Sequence, residues 1–94
     1  MTIKRLVEKY IKKTQQALRQ IDIRKNGEGN PRVNVVLDYA ARYLKDAIYY
    51  SDQEKFETAL GSIAYSEGLL DALRLLQLVK FQWLKKDKLS KDVP

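Results

Sequence analysis

The chain has 94 residues, a formal net charge of +6, and neither cysteine nor histidine. It therefore cannot form disulfides or zinc sites of the Cys/His type, and it has no catalytic thiol or imidazole. A phosphate-binding loop is also missing, because "NGEGN" lacks the Gly-Lys-Ser/Thr ending and a preceding strand. We therefore expect a protein that is not an enzyme and that carries no metal or cofactor.

The charges are unevenly distributed along the chain. Residues 1–32 hold nine Lys/Arg and three Asp/Glu, residues 33–79 hold four and seven, and residues 80–94 hold five and two. Basic ends can attract nucleic acid or another acidic partner. The alternative is a lysine-rich, solvated surface, which the scattered placement of the charges favours.

Apolar residues at the start of the chain recur at the spacing of one helical face. They are Ile3, Leu6, Val7, Tyr10, Ile11, Ala17, Leu18 and Ile21. This pattern predicts helix 1 over about residues 3–25, with Thr2 as its N-cap and Asn26-Gly27 at its end. The polar side of the helix carries a candidate basic face for nucleic acid, made of Lys4, Arg5, Lys9, Lys12, Lys13 and Arg19.

Two further helices follow, joined by a short connection. Asn30 and Pro31 suit an N-cap and a first helical position, which predicts helix 2 over about 31–50. In "SDQE", Ser51 and Glu54 have the spacing of a capping box, which predicts helix 3 over about 52–79. The short connection predicts that helices 2 and 3 form an antiparallel hairpin. The expected fold is an all-α three-helix bundle.

Helix 3 carries charged residues where its first half carries apolar ones. Glu67, Asp71 and Arg74 continue the face that Ala59 begins, while the leucines shift to the other side. Three interpretations stay open. The charges can form a buried, paired layer with Tyr43 of helix 2. Helix 3 can be covered on two sides, or the carboxylates can line a pocket.

A row of small residues also runs along helix 3, at Gly61, Ala64, Gly68 and Ala72. Such a row lets another backbone approach closely, which can belong to helix 1 or to a second copy of the chain. Together with neighbouring apolar residues, it predicts a self-association surface. The candidates are Gly61, Gly68, Leu69, Ala72, Leu76, Phe81 and Trp83.

The tail gives a mixed signal. Phe81 and Trp83 alternate with polar residues as in a strand, but a lone short strand has no partner. We therefore predict frayed helix or packed coil, a domain over residues 1–86, and a mobile segment over 87–94. Either the tail or a second subunit must cover the leucines at the end of helix 3, and we expect a homodimer.

The segment "AARYLKDAIYYSDQEKFETALGSIAYSEGLLDA" resembles the archaeal family called domain of unknown function 357. The residues that carry the resemblance are Ala40, Tyr43, Asp46, Ala47, Tyr50, Phe56, Ala59, Leu60, Tyr65, Gly68, Leu70, Asp71 and Ala72. The resemblance covers residues 40–73 in detail and about 1–80 in layout. It implies a small all-helical archaeal protein and no established activity.

These observations favour a non-enzymatic protein-interaction or self-associating module. The alternative is a sequence-nonspecific nucleic-acid-binding protein that uses the basic helix 1 and the tail. We expect a cytoplasmic protein without a membrane partner, because no segment approaches the roughly 18 apolar residues of a membrane span and the N-terminus lacks the apolar core of a signal peptide. No small-molecule ligand is expected.

Overall fold

The computed structural model describes residues 1–83 and shows a bundle of three α-helices. The helices are α1, Ile3–Gln20, α2, Pro31–Asp52, and α3, Phe56–Leu75. Two short strands, β1, Asp22–Ile23, and β2, Val79–Lys80, pair in an antiparallel sheet, and a 3₁₀ turn occupies Lys25–Gly27. The predicted all-α three-helix fold and its α2–α3 hairpin are confirmed. Within residues 1–83, none of the helices is long and apolar enough to cross a membrane.

The predicted caps of the first two helices form. The Thr2 hydroxyl oxygen accepts a hydrogen bond from the Arg5 N–H at 3.2 Å, and the Asn30 side-chain oxygen accepts one from the Arg32 N–H at 2.9 Å. Pro31 occupies the start of α2, where a missing N–H leaves no helical bond unmade. Local side-chain chemistry therefore sets where α1 and α2 begin.

The predicted ends of helix 1 and helix 3 are wrong, because each helix stops early to form the small sheet. The backbone becomes extended at Ile21, and Asp22 and Ile23 then pair with Lys80 and Val79. The Gln20 side chain donates a hydrogen bond to the Gln82 carbonyl at 2.8 Å and accepts one from the Gln82 N–H at 3.3 Å. The tail therefore has a strand partner, and the prediction of frayed helix or packed coil is wrong at Lys80.

The predicted capping box between α2 and α3 does not form. Ser51 and Asp52 belong to the last turn of α2, and α3 begins at Phe56 without a side-chain cap. The turn is a Schellman motif, in which the N–H groups of Glu54 and Lys55 donate to the carbonyls of Ser51 and Tyr50, both at 2.9 Å. Glu54 adopts the left-handed φ of 61° that this motif requires.

The same motif ends α3. The N–H groups of Gln77 and Leu78 donate to the carbonyls of Arg74 and Leu73, at 2.9 and 3.0 Å, and Gln77 has a φ of 61°. The motif reverses the chain direction, so that β2 and the residues after it return along the bundle. Both reversals place a non-glycine residue at a position where glycine is usual.

The contact between α2 and α3 is built on small residues. Ala40, Ala47 and Ala59 are fully buried, and the hydroxyl of the fully buried Ser66 donates to the Ala40 carbonyl at 2.7 Å. Short side chains let two helix backbones approach closely, and the hydrogen bond satisfies the one polar group placed between them. Larger apolar side chains fill the core on either side of this contact, among them Val7, Val33, Ile63 and Leu70.

The apolar face of α3 does not swing around the helix as the sequence suggested. Its buried residues form one continuous stripe, at Ala59, Ile63, Ser66, Leu70 and Leu73. Ser66 holds a core position because its hydroxyl is satisfied by α2. The charged residues Glu67, Asp71 and Arg74 are half-buried beside the stripe instead of within it.

The returning chain covers the flank of α3. Phe81 is only 6% exposed and, with Val79, belongs to the same core as Ala17 and Leu73. Trp83 and Leu69 pack against this core, and the rings of Phe81 and Trp83 meet edge to face at 4.8 Å. The predicted domain end at residue 86 and the predicted mobility from residue 87 lie outside the described residues.

Candidate functional site

The predicted polar cluster divides into two ion pairs. The Arg74 Nε and Nη2 atoms both donate to Asp71 Oδ1, at 2.9 and 2.8 Å. Glu67 pairs with Lys13 of α1 instead of with Arg74. Tyr43 lies outside the cluster and packs its ring edge to face against Tyr65 at 4.5 Å.

The aromatic residue of this cluster is Trp83, where Tyr43 was predicted. Its indole N–H donates to Asp71 Oδ1 at 3.0 Å, and its ring lies 4.7 Å from the Lys13 ammonium. Burial by itself raises the pKa of Asp71. The hydrogen bonds from Trp83 and Arg74, together with the positive charges of Arg74 and Lys13, outweigh burial and hold the pKa of Asp71 below its usual value.

This cluster joins three parts of the chain and shows no sign of a reactive centre. Each carboxylate forms an ion pair with its own cation, which favours a structural role for both pairs. Among residues 1–83, no three acidic, histidine or cysteine side chains are grouped to hold a metal. Sequence reasoning missed Lys13 and Trp83 here because their contacts with Glu67 and Asp71 span 54 and 12 positions.

The small-residue row of α3 faces solvent, so it does not pack against helix 1. Gly61, Ala64, Gly68 and Ala72 are all exposed. A Cβ atom built on Gly61 or Gly68 would meet no other atom within 4 Å. The row is therefore an open shelf along the outside of the bundle.

Large apolar side chains border this shelf. Leu75 and Leu76 are 67% and 66% exposed, and Tyr65 is half exposed. We call the shelf and its border the α3 outer face, which comprises Gly61, Ala64, Tyr65, Gly68, Ala72, Leu75 and Leu76. Across the helix pair, Tyr39 and Tyr43 of α2 add two more exposed aromatic rings.

Three residues predicted for self-association are not part of this face. Phe81 is in the core, and Trp83 and Leu69 are half-buried against that core. The reason is the chain reversal at Gln77, which the sequence did not reveal. The face instead includes Tyr65 and Leu75, together with Ala64 of the small-residue row. The seven-residue spacing of Gly61, Gly68 and Leu75 is the signal that could have identified Leu75.

The predicted basic face of α1 keeps five of its six members. Lys4, Arg5, Lys12 and Arg19 are exposed and Lys9 is half-buried, whereas Lys13 turns toward α3 and its Glu67. An open groove of about 430 Å³ runs beside this face, between α1 and the end of α2. Its lining includes Glu8, Lys12, Arg19, Ile48 and Asp52.

The family model described as "Protein of unknown function (DUF357)" matches residues 9–79, which include most of α1 and all of α2 and α3. The chain belongs to the DUF357 family. The matched region holds the α3 outer face, the Lys13–Glu67 and Arg74–Asp71 ion pairs and the first strand of the sheet, but not Trp83. No curated protein matches the chain, and no solved structure does.

Proposed function

We propose that this DUF357 protein is a non-enzymatic module that self-associates through the α3 outer face, with a second copy of the chain as the partner. One observation carries the proposal. From Thr58 to Leu75 the exposed residues of α3 are uncharged, although charged residues make up 32% of the chain; the exposed Glu57 lies in the first turn, and Asp71 and Arg74 are half-buried beside the face. A solvent-facing helix surface without charge is unusual unless another surface covers it.

The shape of the face favours a copy of itself. If two α3 helices cross antiparallel with their twofold axis at Gly68, residues equally distant from Gly68 face each other across the contact. Leu75 of one copy then meets Gly61 of the other, and Ala72 meets Ala64. A large side chain thus faces an empty position on both sides of the axis, which is the self-complementarity that a twofold interface needs.

The charge distribution permits the same arrangement. The chain carries a net charge of +6, so two copies repel each other wherever their basic surfaces approach. Apart from Lys13, the basic residues of α1 lie on its solvent side, and α3 turns its core stripe, not its outer face, toward α1. Contact through the α3 outer face keeps these residues away from the axis.

The face is one helix wide, so we expect a weak, concentration-dependent dimer. Fully burying a leucine contributes about 1.5–3 kcal/mol, and Leu75 and Leu76 are the largest gains available on α3. Interfaces below about 1,200 Å² in total are typical of transient complexes. A reversible equilibrium between monomer and dimer is therefore the expected behaviour in moderate salt.

Sedimentation equilibrium over a wide concentration range tests this proposal. The wild-type mass should rise from one chain toward two as concentration increases. Gly68→Glu should stay monomeric, because it places two like charges at the axis, and it should still fold because the space above Gly68 is open. Ala41→Glu adds the same charge to an exposed site on α2 and should dimerise like wild type. A wild-type protein that remains monomeric at high concentration would show the proposal to be wrong.

A further inference from the structure

The solvent side of α1 carries a group of cations that the described part of the bundle leaves without ion pairs. The ion pairs within residues 1–83 use Lys13, Arg42 and Arg74 as their cations. None of them uses the five residues that we call the α1 basic face, namely Lys4, Arg5, Lys9, Lys12 and Arg19. We propose that this face binds the phosphate backbone of a double-stranded nucleic acid without reading its bases. The proposal does not depend on self-association.

The positions of these cations form a regular array. Arg5, Lys12 and Arg19 follow one another at seven-residue intervals, so they lie along nearly one line of the helix. Each interval is about 10 Å at 1.5 Å per residue. Lys9 lies beside this line on the helix surface. A repeating row of cations fits a polymer with regularly repeating negative charges.

Nearby carboxylates restrict where an anion can bind. Glu8 lies on α1 beside the row, and Asp52 lies across the groove at the end of α2. Both line the groove, so phosphate is disfavoured inside it. The exposed cations of α1 outside the groove therefore form the contact surface. An extended nucleic-acid backbone along the helix fits this surface better than a small anion in a pocket does.

The distribution of aromatic residues favours a duplex over a single strand. Proteins that bind single strands combine a cationic track with aromatic rings on which bases stack. The exposed tyrosines Tyr39, Tyr43, Tyr49 and Tyr65 all lie on α2 and α3, and none lies on the α1 basic face. A surface with cations and no stacking platform is suited to the paired backbone, whose bases are already stacked.

The packing of α1 argues against a lipid surface as the ligand. A helix that lies in a membrane interface inserts its apolar side among the lipids. The apolar side of α1 is already used by the bundle, since Val7 and Ala17 are fully buried. A bilayer would have only the charges to bind, without the apolar contribution that anchors such helices.

Fluorescence anisotropy with a short labelled duplex of arbitrary sequence tests the inference on the full chain. We expect binding in low salt, with a plot of log K against log salt whose slope is about −4 when most of the five cations contact phosphate. Replacing Arg5, Lys12 and Arg19 by glutamine should reduce the steepness of the slope by roughly 2 to 3. DNA and RNA duplexes of equal length are both tested, and binding to either supports the proposal.

The matched control removes the same charge from another helix. Arg32, Arg42 and Lys45 are exposed on α2, and replacing these three by glutamine should leave the slope close to that of wild type. An unchanged melting temperature in both triple variants shows that they fold. Equal losses in the two triple variants would contradict the proposal, because net charge alone would then explain binding. No wild-type binding in about 50 mM salt, or tighter binding to a single strand or to phosphatidylserine vesicles, would contradict it as well.

Discussion

At the scale of single residues, Gly27 lies where the chain after α3 packs closely against the backbone. The residue is buried, and a Cβ atom at this position would lie 2.7 Å from the Leu78 carbonyl oxygen and 3.2 Å from Ile23 Cγ2. The Leu78 carbonyl also accepts the Arg24 N–H at 2.9 Å, so it cannot move away freely. Glycine is required here because Leu78 and Ile23 occupy the space that a larger side chain would need.

We therefore predict that Gly27→Ala lowers the free energy of unfolding by about 1–3 kcal/mol, as overpacking does in a tight site. The matched substitution Gly61→Ala should raise it by about 0.5–1 kcal/mol, because alanine loses less conformational freedom than glycine in a helix and has open space there. Urea unfolding at low protein concentration measures both. A Gly27→Ala variant as stable as wild type would mean that the two segments are less closely packed.

Asp71 gives a prediction that depends on pH. Its pKa in the folded protein lies below the usual value of an aspartate, so the ionised carboxylate stabilises the fold at neutral pH. That stabilisation is lost as the pH falls through the lowered pKa of Asp71. Because the Asp71 and Arg74 side chains are more than one third exposed, we expect Asp71→Asn to cost about 1 kcal/mol or less.

The difference in stability between wild type and Asp71→Asn should shrink from about pH 7 to about pH 3, as measured by urea unfolding. Asp38→Asn is the control, because it removes a carboxylate from the more exposed pair with Arg42 and should change stability little at either pH. A difference for Asp71→Asn that is as large at low pH as at neutral pH would assign its effect to packing instead of charge.

At the scale of elements, both chain reversals place a non-glycine residue in the left-handed region. Glu54 and Gln77 each have a φ of 61°, which costs a side-chain-bearing residue roughly 1–2 kcal/mol. We predict that Glu54→Gly and Gln77→Gly each raise the free energy of unfolding by about 1 kcal/mol. Gln53→Gly is the control, since Gln53 has a φ of −93° and gains nothing from glycine. Thermal melts that show no gain for either variant would contradict this account of the turns.

The same turns show what the sequence could reveal about the elements and what it could not. The starts of α1 and α2 were predictable because Thr2 and Asn30 act on neighbouring backbone groups. The ends of α1 and α3 were not, because they depend on pairing between Asp22–Ile23 and Val79–Lys80, which are distant in the chain. The Ser51–Glu54 pattern favoured a capping box, but Glu54 ends α2 in a left-handed turn instead.

The candidate site, too, could be predicted from the sequence only in part. The uncharged row at Gly61, Gly68 and Ala72 could be predicted from its spacing, whereas its exposure could not. Ser66 is polar in sequence and lies in the core, because a carbonyl of α2 accepts its hydroxyl. Ser66 thus belongs to the core stripe of α3, and the small residues lie on the opposite side of the helix, facing solvent. Trp83 was assigned to the surface because nothing in the local sequence indicates the chain reversal at Gln77.

At the scale of the whole molecule, the bundle separates two surfaces of different chemistry. The α3 outer face is uncharged, and the α1 basic face lies on another side of the bundle. A dimer joined through α3 would leave both basic faces accessible. Self-association and duplex binding can therefore be tested separately, with Gly68→Glu for the first and the α1 triple variant for the second.

The most direct test of the central claim is disulfide formation between single-cysteine variants, because the native chain contains no cysteine. Gly68→Cys should form a covalent dimer under mild oxidation, since a disulfide needs Cα atoms within about 7 Å and the twofold axis passes through this position. Gly61→Cys should not, because its two copies would lie about 20 Å apart along the helix. Mixing Gly61→Cys with Leu75→Cys should restore cross-linking. Equal cross-linking of Gly61→Cys, Gly68→Cys and the α2 control Ala41→Cys would contradict the account.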